Sequence, residues 1–280
     1  MKRVIINADD LGLDNIVNQQ IEECIVRGVV TSTTLLANAP CFSEGVSIAK
    51  RYPQISVGVH LNLVEFSPLT NEKIFQKYGI VNEEGEFIDG AIFVAVIKEE
   101  LEQAIEEEWD AQISKVEQTG VSISHIDSHQ HAHTIVALQD VLCRVMEKHN
   151  IRRVRRKSIP SIRLILKGRK QPIVVLDKTK AVQPPKRNII YRRIHFFVVK
   201  RRAKKWNQEM NMYYVLTDYF FAFRDFFFNR SLLHIKGENA TIELMCHPGQ
   251  PPFQTETDYL KNDMSWLPDG FQLISYNDLV

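Results

Sequence analysis

Apolar residues along this chain follow two alternating rhythms. Short runs, several rich in β-branched residues, occupy Val4–Ala8, Val29–Leu36, Ile55–Leu63, Ser122–Asp127 and Thr241–Cys246. Between them lie longer stretches in which apolar positions recur every three or four residues, as in Asn15–Arg27 with Ile16, Val17, Ile21 and Ile25. Glu44–Arg51, the acidic stretch Val96–Gln118 and Ile135–Lys148 predict further helices, and Phe271–Ile274 a last strand. Apolar strands alternating with helices predict a parallel sheet covered by helices. With this many repeats the expected architecture is α/β, a TIM-barrel-like (β/α) barrel, forming one domain over residues 1–280. A variable basic segment at about 151–210, partly irregular, is expected as an insertion after the fifth strand region.

In such a barrel, chemistry sits just past the C-terminal ends of the strands. The polar clusters fall there: Asp9 and Asp10 after the first run, His60 late in the third, Asp127 to His133 after the fourth, and His247 after Thr241–Cys246. Asp10, His60 and His129 would supply one carboxylate and two imidazoles, a ligand set that leaves positions open for water and substrate. The expected cofactor is one divalent cation, magnesium or zinc first and manganese, cobalt or nickel as alternatives. The imidazoles by themselves suit zinc, cobalt, nickel or manganese better than magnesium. Such a cation lowers the pKa of bound water and polarises a carbonyl. Asp9 is then the candidate base, and His247 the candidate acid for a departing amine.

Each piece also has a plainer reading. Asp9-Asp10 ahead of Leu11-Gly12 reads equally as a turn and helix N-cap. His60 alternates with Gly58 and Asn62, which fits a satisfied interior histidine as well as a ligand. The run from His125 to His133 is sharper, with four histidines in nine residues. If its strand continued, Asp127, His129, His131 and His133 would share one face. Asp127 would then orient a ligand imidazole, and His131 or His133 would line a substrate pocket. His125, His149, His195 and His234 read as structural or surface residues.

Five pieces carry a family resemblance: Asn7-Ala8-Asp9-Asp10-Leu11-Gly12, Val30-Thr31-Ser32-Thr33-Thr34, Gly58-Val59-His60-Leu61-Asn62-Leu63, the run from His125 to His133, and Glu243-Leu244-Met245-Cys246-His247-Pro248-Gly249. In these the chain resembles the YdjC-like carbohydrate deacetylases, which include chitooligosaccharide deacetylases and hopanoid-associated members. The resemblance implies a TIM-barrel-like, often dimeric fold and a divalent metal at Asp10, His60 and His129. It also implies Asp9 as base, His247 as acid, and a small N-acetylated amino sugar or oligosaccharide that loses acetate. Arg153 and Arg155 match no assigned family role; one of them could contact substrate, and Arg155 is expected around the site, either behind a ligand or against substrate. Asn62 joins Asp127, His131 and His133 as a residue expected around the site.

Composition adds little until its distribution is considered. Net charge is +1, yet residues 151–205 hold roughly twenty Lys and Arg against one acid, Asp177. Pro160, Pro172, Pro184 and Pro185 predict that much of this segment is loop. The acidic Glu99–Asp110 stretch carries the opposite sign, and the two regions read as solvated surfaces that could face each other. Nucleic acid or anionic lipid is the alternative partner, although no RNA-binding aromatic signature or zinc finger supports the former. Four cysteines without CxxC spacing read as reduced thiols. No uncharged apolar run reaches the roughly 18 residues of a membrane span, and Val4-Ile5-Ile6 is too short for a signal-peptide core. A cytoplasmic location is therefore expected. The rival functions are another metal amidohydrolase or phosphoesterase on a similar barrel, and a binding protein that uses the basic segment without turnover.

Overall fold

The computed structural model describes residues 1–160, 189–233, 235–262 and 264–280, with backbone alone for 189–195 and Leu232. Seven strands form one parallel sheet: β1 (Lys2–Leu11), β2 (Ser32–Leu35), β3 (Ser56–Leu61), β4 (Ile123–Ser128), β5 (Tyr219–Ala222), β6 (Thr241–Cys246) and β7 (Phe271–Leu273). Their order is β4-β3-β2-β1-β6-β5, with β7 paired to the first residues of β1. Beyond β4 the sheet continues through single bridges. Ile126 pairs with Val154, and Arg153 with Val215. The extended stretch Arg152–Arg155 thus takes a strand's place, with its Arg155 amide 2.9 Å from the Ile126 carbonyl. The architecture is α/β and barrel-like, with seven laddered strands where a TIM barrel has eight.

Strand alternation sorts the side chains. Val4, Ile6 and Ala8 of β1, Val57, Val59 and Leu61 of β3, and Ile242, Leu244 and Cys246 of β6 join the main apolar core. That core includes α1 (Asn15–Val26), α2 (Phe42–Arg51), the short α3 (Glu72–Lys77) and α4 (Ala91–Val94), α5 (Glu99–Glu117) and α6 (Gln139–Lys148). In α5, Leu101, Ala104, Ile105, Trp109, Ile113 and Val116 recur at helical spacing and are buried. The helix ahead of them begins cleanly: Asp14 caps α1 by accepting from the Val17 amide at 2.7 Å. The intervening strand positions face the other way. Ile5 sits in a separate small cluster with Ile274, Tyr276 and Leu279, and above it the positions turn polar, with Asn7, Asp9, Thr34, His60, Asp127 and Glu243 all buried.

Several expectations are corrected. The strand Tyr219–Ala222 was not foreseen, because its Phe-rich sequence runs on into the helix Phe223–Asn229 without a break in hydrophobicity. The basic segment, expected to be largely loop, lies between β4 and β5, and beyond its prolines it forms a helix, Ile189–Met210. Pro172, Pro184 and Pro185 lie outside the described residues, as do His234 and the side chain of His195. The acids of α5 do not await that segment: Glu100 pairs with Lys77, Glu102 and Glu106 with Arg144, and Asp110 with Lys148 and His149. All four cysteines are free thiols. No helix among the described residues is long and apolar enough to cross a membrane.

One glycine is fixed by this packing. A Cβ on Gly58 would lie 2.6 Å from the His125 ring and 2.7 Å from the His125 carbonyl oxygen. The ring is stacked on Tyr276 at 3.6 Å, and the carbonyl belongs to the adjoining strand, so neither yields easily. Gly58→Ala should lower unfolding free energy by about 1–3 kcal/mol, the range for overpacking. Urea denaturation would show the loss as a reduced midpoint.

Candidate metal and acid–base site

Parallel pairing puts every strand's C-terminal end on one edge, and the five segments meet there. Successive residues of a strand point to opposite faces, so Asp9 and Asp10 should diverge. They do not, because the register between β1 and β2 shifts between Ala8 and Leu11, and Asp10 takes a left-handed φ of 71°. Both carboxylates are buried beneath one cavity of about 290 Å³. His60, His129, His131, His247, Gln250 and Phe253 line the same cavity.

Asp10, His60 and His129 converge as expected. Asp10 Oδ1 is 2.8 Å from His129 Nδ1 and 3.1 Å from His60 Nε2, while Oδ2 accepts from Gln250 Nε2 at 2.5 Å. The three ligand atoms lie within 4.8 Å of one another. Asp127 Oδ1, 2.6 Å from His60 Nδ1, fixes that ring with Nε2 toward the cluster. A carboxylate behind a histidine is the arrangement that orients metal-ligating imidazoles. Burial pulls the imidazoles toward neutrality, but the adjacent carboxylates outweigh it. His60 is raised to about 10, with Asp127 foremost, and His129 to about 9, with Asp10 foremost. Asp10 is held well below the usual carboxylate range by the same pairing, against the effect of burial. The cluster therefore favours positive charge among its donors, and in donor type and spacing it fits one divalent cation.

Arg155 is not among the residues that line the cavity. It is fully buried below the cavity, its guanidinium shared among three carboxylates. Nη1 and Nη2 donate to Asp9 at 2.7 and 2.6 Å, Nη1 lies 2.8 Å from Asp127, and Nε donates to Glu243 at 2.7 Å. Burial opposes ionisation of Asp9, yet Arg155 keeps its carboxyl far below the ordinary range. Glu243 is in turn bonded by the Tyr276 hydroxyl at 2.5 Å, and burial raises it to about 7.

His247 Nε2 stands 3.9 Å from Asp9 Oδ2, and its ring stacks on Phe253 at 4.3 Å. Burial lowers its pKa. Behind it, Glu256 accepts the His247 amide at 2.6 Å, lies 4.0 Å from Nδ1, and is pushed up to about 8 by burial.

The remaining candidates divide. The strand stops at Ser128, and left-handed Gln130 and His131 break the alternation that would have aligned three histidines. His131 still borders the cavity, pushed down to about 3 by burial. His133 turns away, its Nδ1 2.5 Å from Ser128 Oγ and Nε2 3.2 Å from the Arg155 carbonyl. Asn62 also stays off the cavity. Its Oδ1 accepts the Val64 and Glu65 amides, shaping the loop that brings Glu65 to 3.4 Å from His129 Nε2. Sequence reasoning missed Thr34, Glu243, Gln250 and Glu256. Thr34 Oγ1 touches His60 Nδ1 at 3.0 Å and donates to Asp127 at 3.1 Å. Glu243 did leave a signal, as the lone acid inside an apolar strand.

Fold and cluster together describe a parallel α/β protein with a cation-type Asp/His site at the C-terminal edge of its sheet. The chain belongs to the YdjC-like protein family, whose sequence profile matches residues 3–269. It is 36% identical over 150 residues to a carbohydrate deacetylase of Halalkalibacterium halodurans, across 53% of this chain and 62% of that protein. A carbohydrate deacetylase of Vibrio cholerae (strain O395) matches at 36% over 150 residues, 53% of this chain and 57% of that one. The matched region thus spans less than two thirds of these relatives' length. Among solved structures, an Enterococcus faecalis protein named for cellobiose-phosphate cleavage superposes with a TM-score of 0.68 at 23% identity. That match covers 99% of this chain and 98% of the other, a likeness of fold.

Two outcomes test this electrostatic arrangement. Arg155→Met leaves Asp9, Asp127 and Glu243 buried without their cation, and should reduce stability by about 3–5 kcal/mol in urea titration at neutral pH. Glu256 has its folded pKa raised from 4.5 to about 8, so its contribution is fully present below pH 4.5 and is lost as pH rises through about 8. Glu256→Gln keeps an oxygen for the His247 amide and removes that titration. Thermal melts from pH 5 to 8.5 should fall less steeply than in the parent protein, by an amount equivalent to a few kcal/mol.

Proposed function

We propose that this chain hydrolyses an acetamide on an amino sugar, using one divalent cation and its own acid–base pair. The observation that carries this reading is the convergence of Asp10, His60 and His129 with Asp9 and His247 around one cavity. The curated relatives' naming as carbohydrate deacetylases supports the substrate class. Asp10, His60 and His129 would hold the cation, and the two imidazoles favour a zinc-type ion over magnesium. When bound, it lowers the pKa of water and polarises the amide carbonyl.

The protein's residues supply the rest. Asp9 Oδ1 accepts from Asn7 and Arg155, whereas Oδ2 accepts from Arg155 alone and keeps a lone pair free for a proton. Arg155 keeps that carboxylate ionised and locked in orientation. His247, within 3.9 Å of the same oxygen, is placed to pass a proton to the departing nitrogen. Phe253 holds its ring from one side. The cavity of about 290 Å³ is at the small end for ligand sites and suits a single sugar ring.

A two-cation phosphoesterase is the weaker reading. The second possible ligand group, Asp9, His60 and Asp127, already surrounds Arg155, whose guanidinium contacts both carboxylates. A fixed positive charge stands where the second cation would be needed.

Acetate release from mono- and oligomeric N-acetylglucosamine, by protein stripped of metal and then reloaded, tests the proposal. Activity should appear only after reloading. Asp9→Asn should retain one metal per chain and lose roughly 10²–10⁴-fold in turnover. His129→Ala should lose metal by elemental analysis, and a fully loaded, active His129→Ala protein would overturn the ligand assignment. Stoichiometric metal with no acetate from any sugar would overturn the substrate class.

A further inference from the structure

The helix Ile189–Met210 presents a surface that the catalytic reading does not use. One face is anchored: Ala203, Trp206, Asn207 and Met210 are buried, and Phe196 with them. The Trp206 ring meets His133 edge-on at 6.0 Å, and the Asn207 amide exchanges two hydrogen bonds of 2.9 Å with the Lys157 backbone. The helix is thus fixed directly behind the loop that carries His129 and His131.

The opposite face has a different character. Phe197, Arg201, Lys204 and Gln208 follow one another at spacings of four, three and four, forming a single stripe, with Val198, Arg202 and Lys205 beside it. Phe197 is 63% exposed and Val198 43%, although both are large apolar residues. Just past the helix, Met212 and Tyr213 are 67% and 70% exposed. The helix holds seven Lys and Arg against one acid, Glu209, which lies 3.5 Å from Lys205 Nζ. Phe197 and Val198 set apolar surface directly beside these exposed cations.

We infer that this face docks on an anionic lipid bilayer, with Phe197 and Val198 entering the headgroup region and Arg201, Lys204 and Lys205 meeting lipid phosphates. Clustered Lys and Arg are attracted to anionic lipid, and exposed apolar side chains beside them add contact with the headgroup region. The helix is too charged to cross the bilayer, which is consistent with lying on it. Nucleic acid would satisfy the cations, and a base could stack on Phe197, but Val198 and Met212 offer no stacking face. Because the helix is anchored behind the site loop, the docked protein works at the membrane surface.

The test is co-sedimentation of the full chain with vesicles of phosphatidylcholine alone and of phosphatidylcholine with equal parts phosphatidylglycerol. The parent protein should sediment with the anionic vesicles only, and increasingly less as salt is raised. Replacing Arg201, Lys204 and Lys205 together by Gln should weaken partitioning about a hundredfold, since each basic residue near an anionic surface strengthens binding about fivefold. Phe197→Ser should weaken it in low salt as well. All these positions are exposed, so unchanged thermal melts establish that both variants fold. Equal sedimentation with both vesicle types, or an undiminished triple variant, would overturn the inference. So would binding to duplex or single-stranded DNA without binding to vesicles. A dimer that Phe197→Ser converts to monomer, with no vesicle binding by either protein, would assign the face to a second copy of the chain and overturn it too.

Discussion

The buried guanidinium of Arg155 is the interaction on which the site depends. Three carboxylates, Asp9, Asp127 and Glu243, come from three strands into a region closed to water, and each would be costly to ionise there alone. Arg155 offsets that cost by meeting all of them at 2.6–2.8 Å, and it holds Asp9 ionised. Its planar fork is suited to this, since a lysine could not serve several fixed carboxylate oxygens at once. Phe220 lies across it at 5.2 Å, adding a ring face to the guanidinium's surroundings.

From that centre, charge passes upward in two directions. Through Asp127 it reaches His60, then Asp10 and His129, whose donor atoms lie within 4.8 Å of one another. Through Asp9 it reaches the cavity and His247, with the aspartate held ionised and the histidine tending to neutrality. The two neighbouring aspartates consequently differ in surroundings although they share one strand. One is tied to a fixed guanidinium and the other to a pair of imidazoles, while the register shift in β1 keeps both beneath one cavity.

The outer surface follows a different logic. On α5 the acids are matched by Lys77, Arg144, Lys148 and His149, so that helix is largely neutralised by its neighbours. Among the described residues the helix Ile189–Met210 shows one ion pair, Lys205 with Glu209, and combines its charge with exposed apolar residues. Among the described residues, the ion-pair partners of α5 therefore come from outside the basic segment.

The periodicity of apolar residues was sufficient to place β1 to β4, β6, β7 and the major helices, because each buries one side against a layer of known spacing. The strand-end rule likewise marked Asp9, Asp10, His60, Asp127, His129 and His247, since parallel strands deliver their C-terminal residues to one edge. It could not place Arg155. Lying in a basic stretch, that residue looks like its exposed neighbours, and only the bridge from Val154 to Ile126 turns it inward. Nor could alternation sort the histidines after Ser128, because two left-handed residues end the strand and send His131 and His133 to different places. Thr34, Gln250 and Glu256 are ordinary polar residues in sequence, and their parts in the site depend on which strands and loops become neighbours. Local pattern determines which element forms and which face is apolar; the pairing of distant segments decides which buried charges meet.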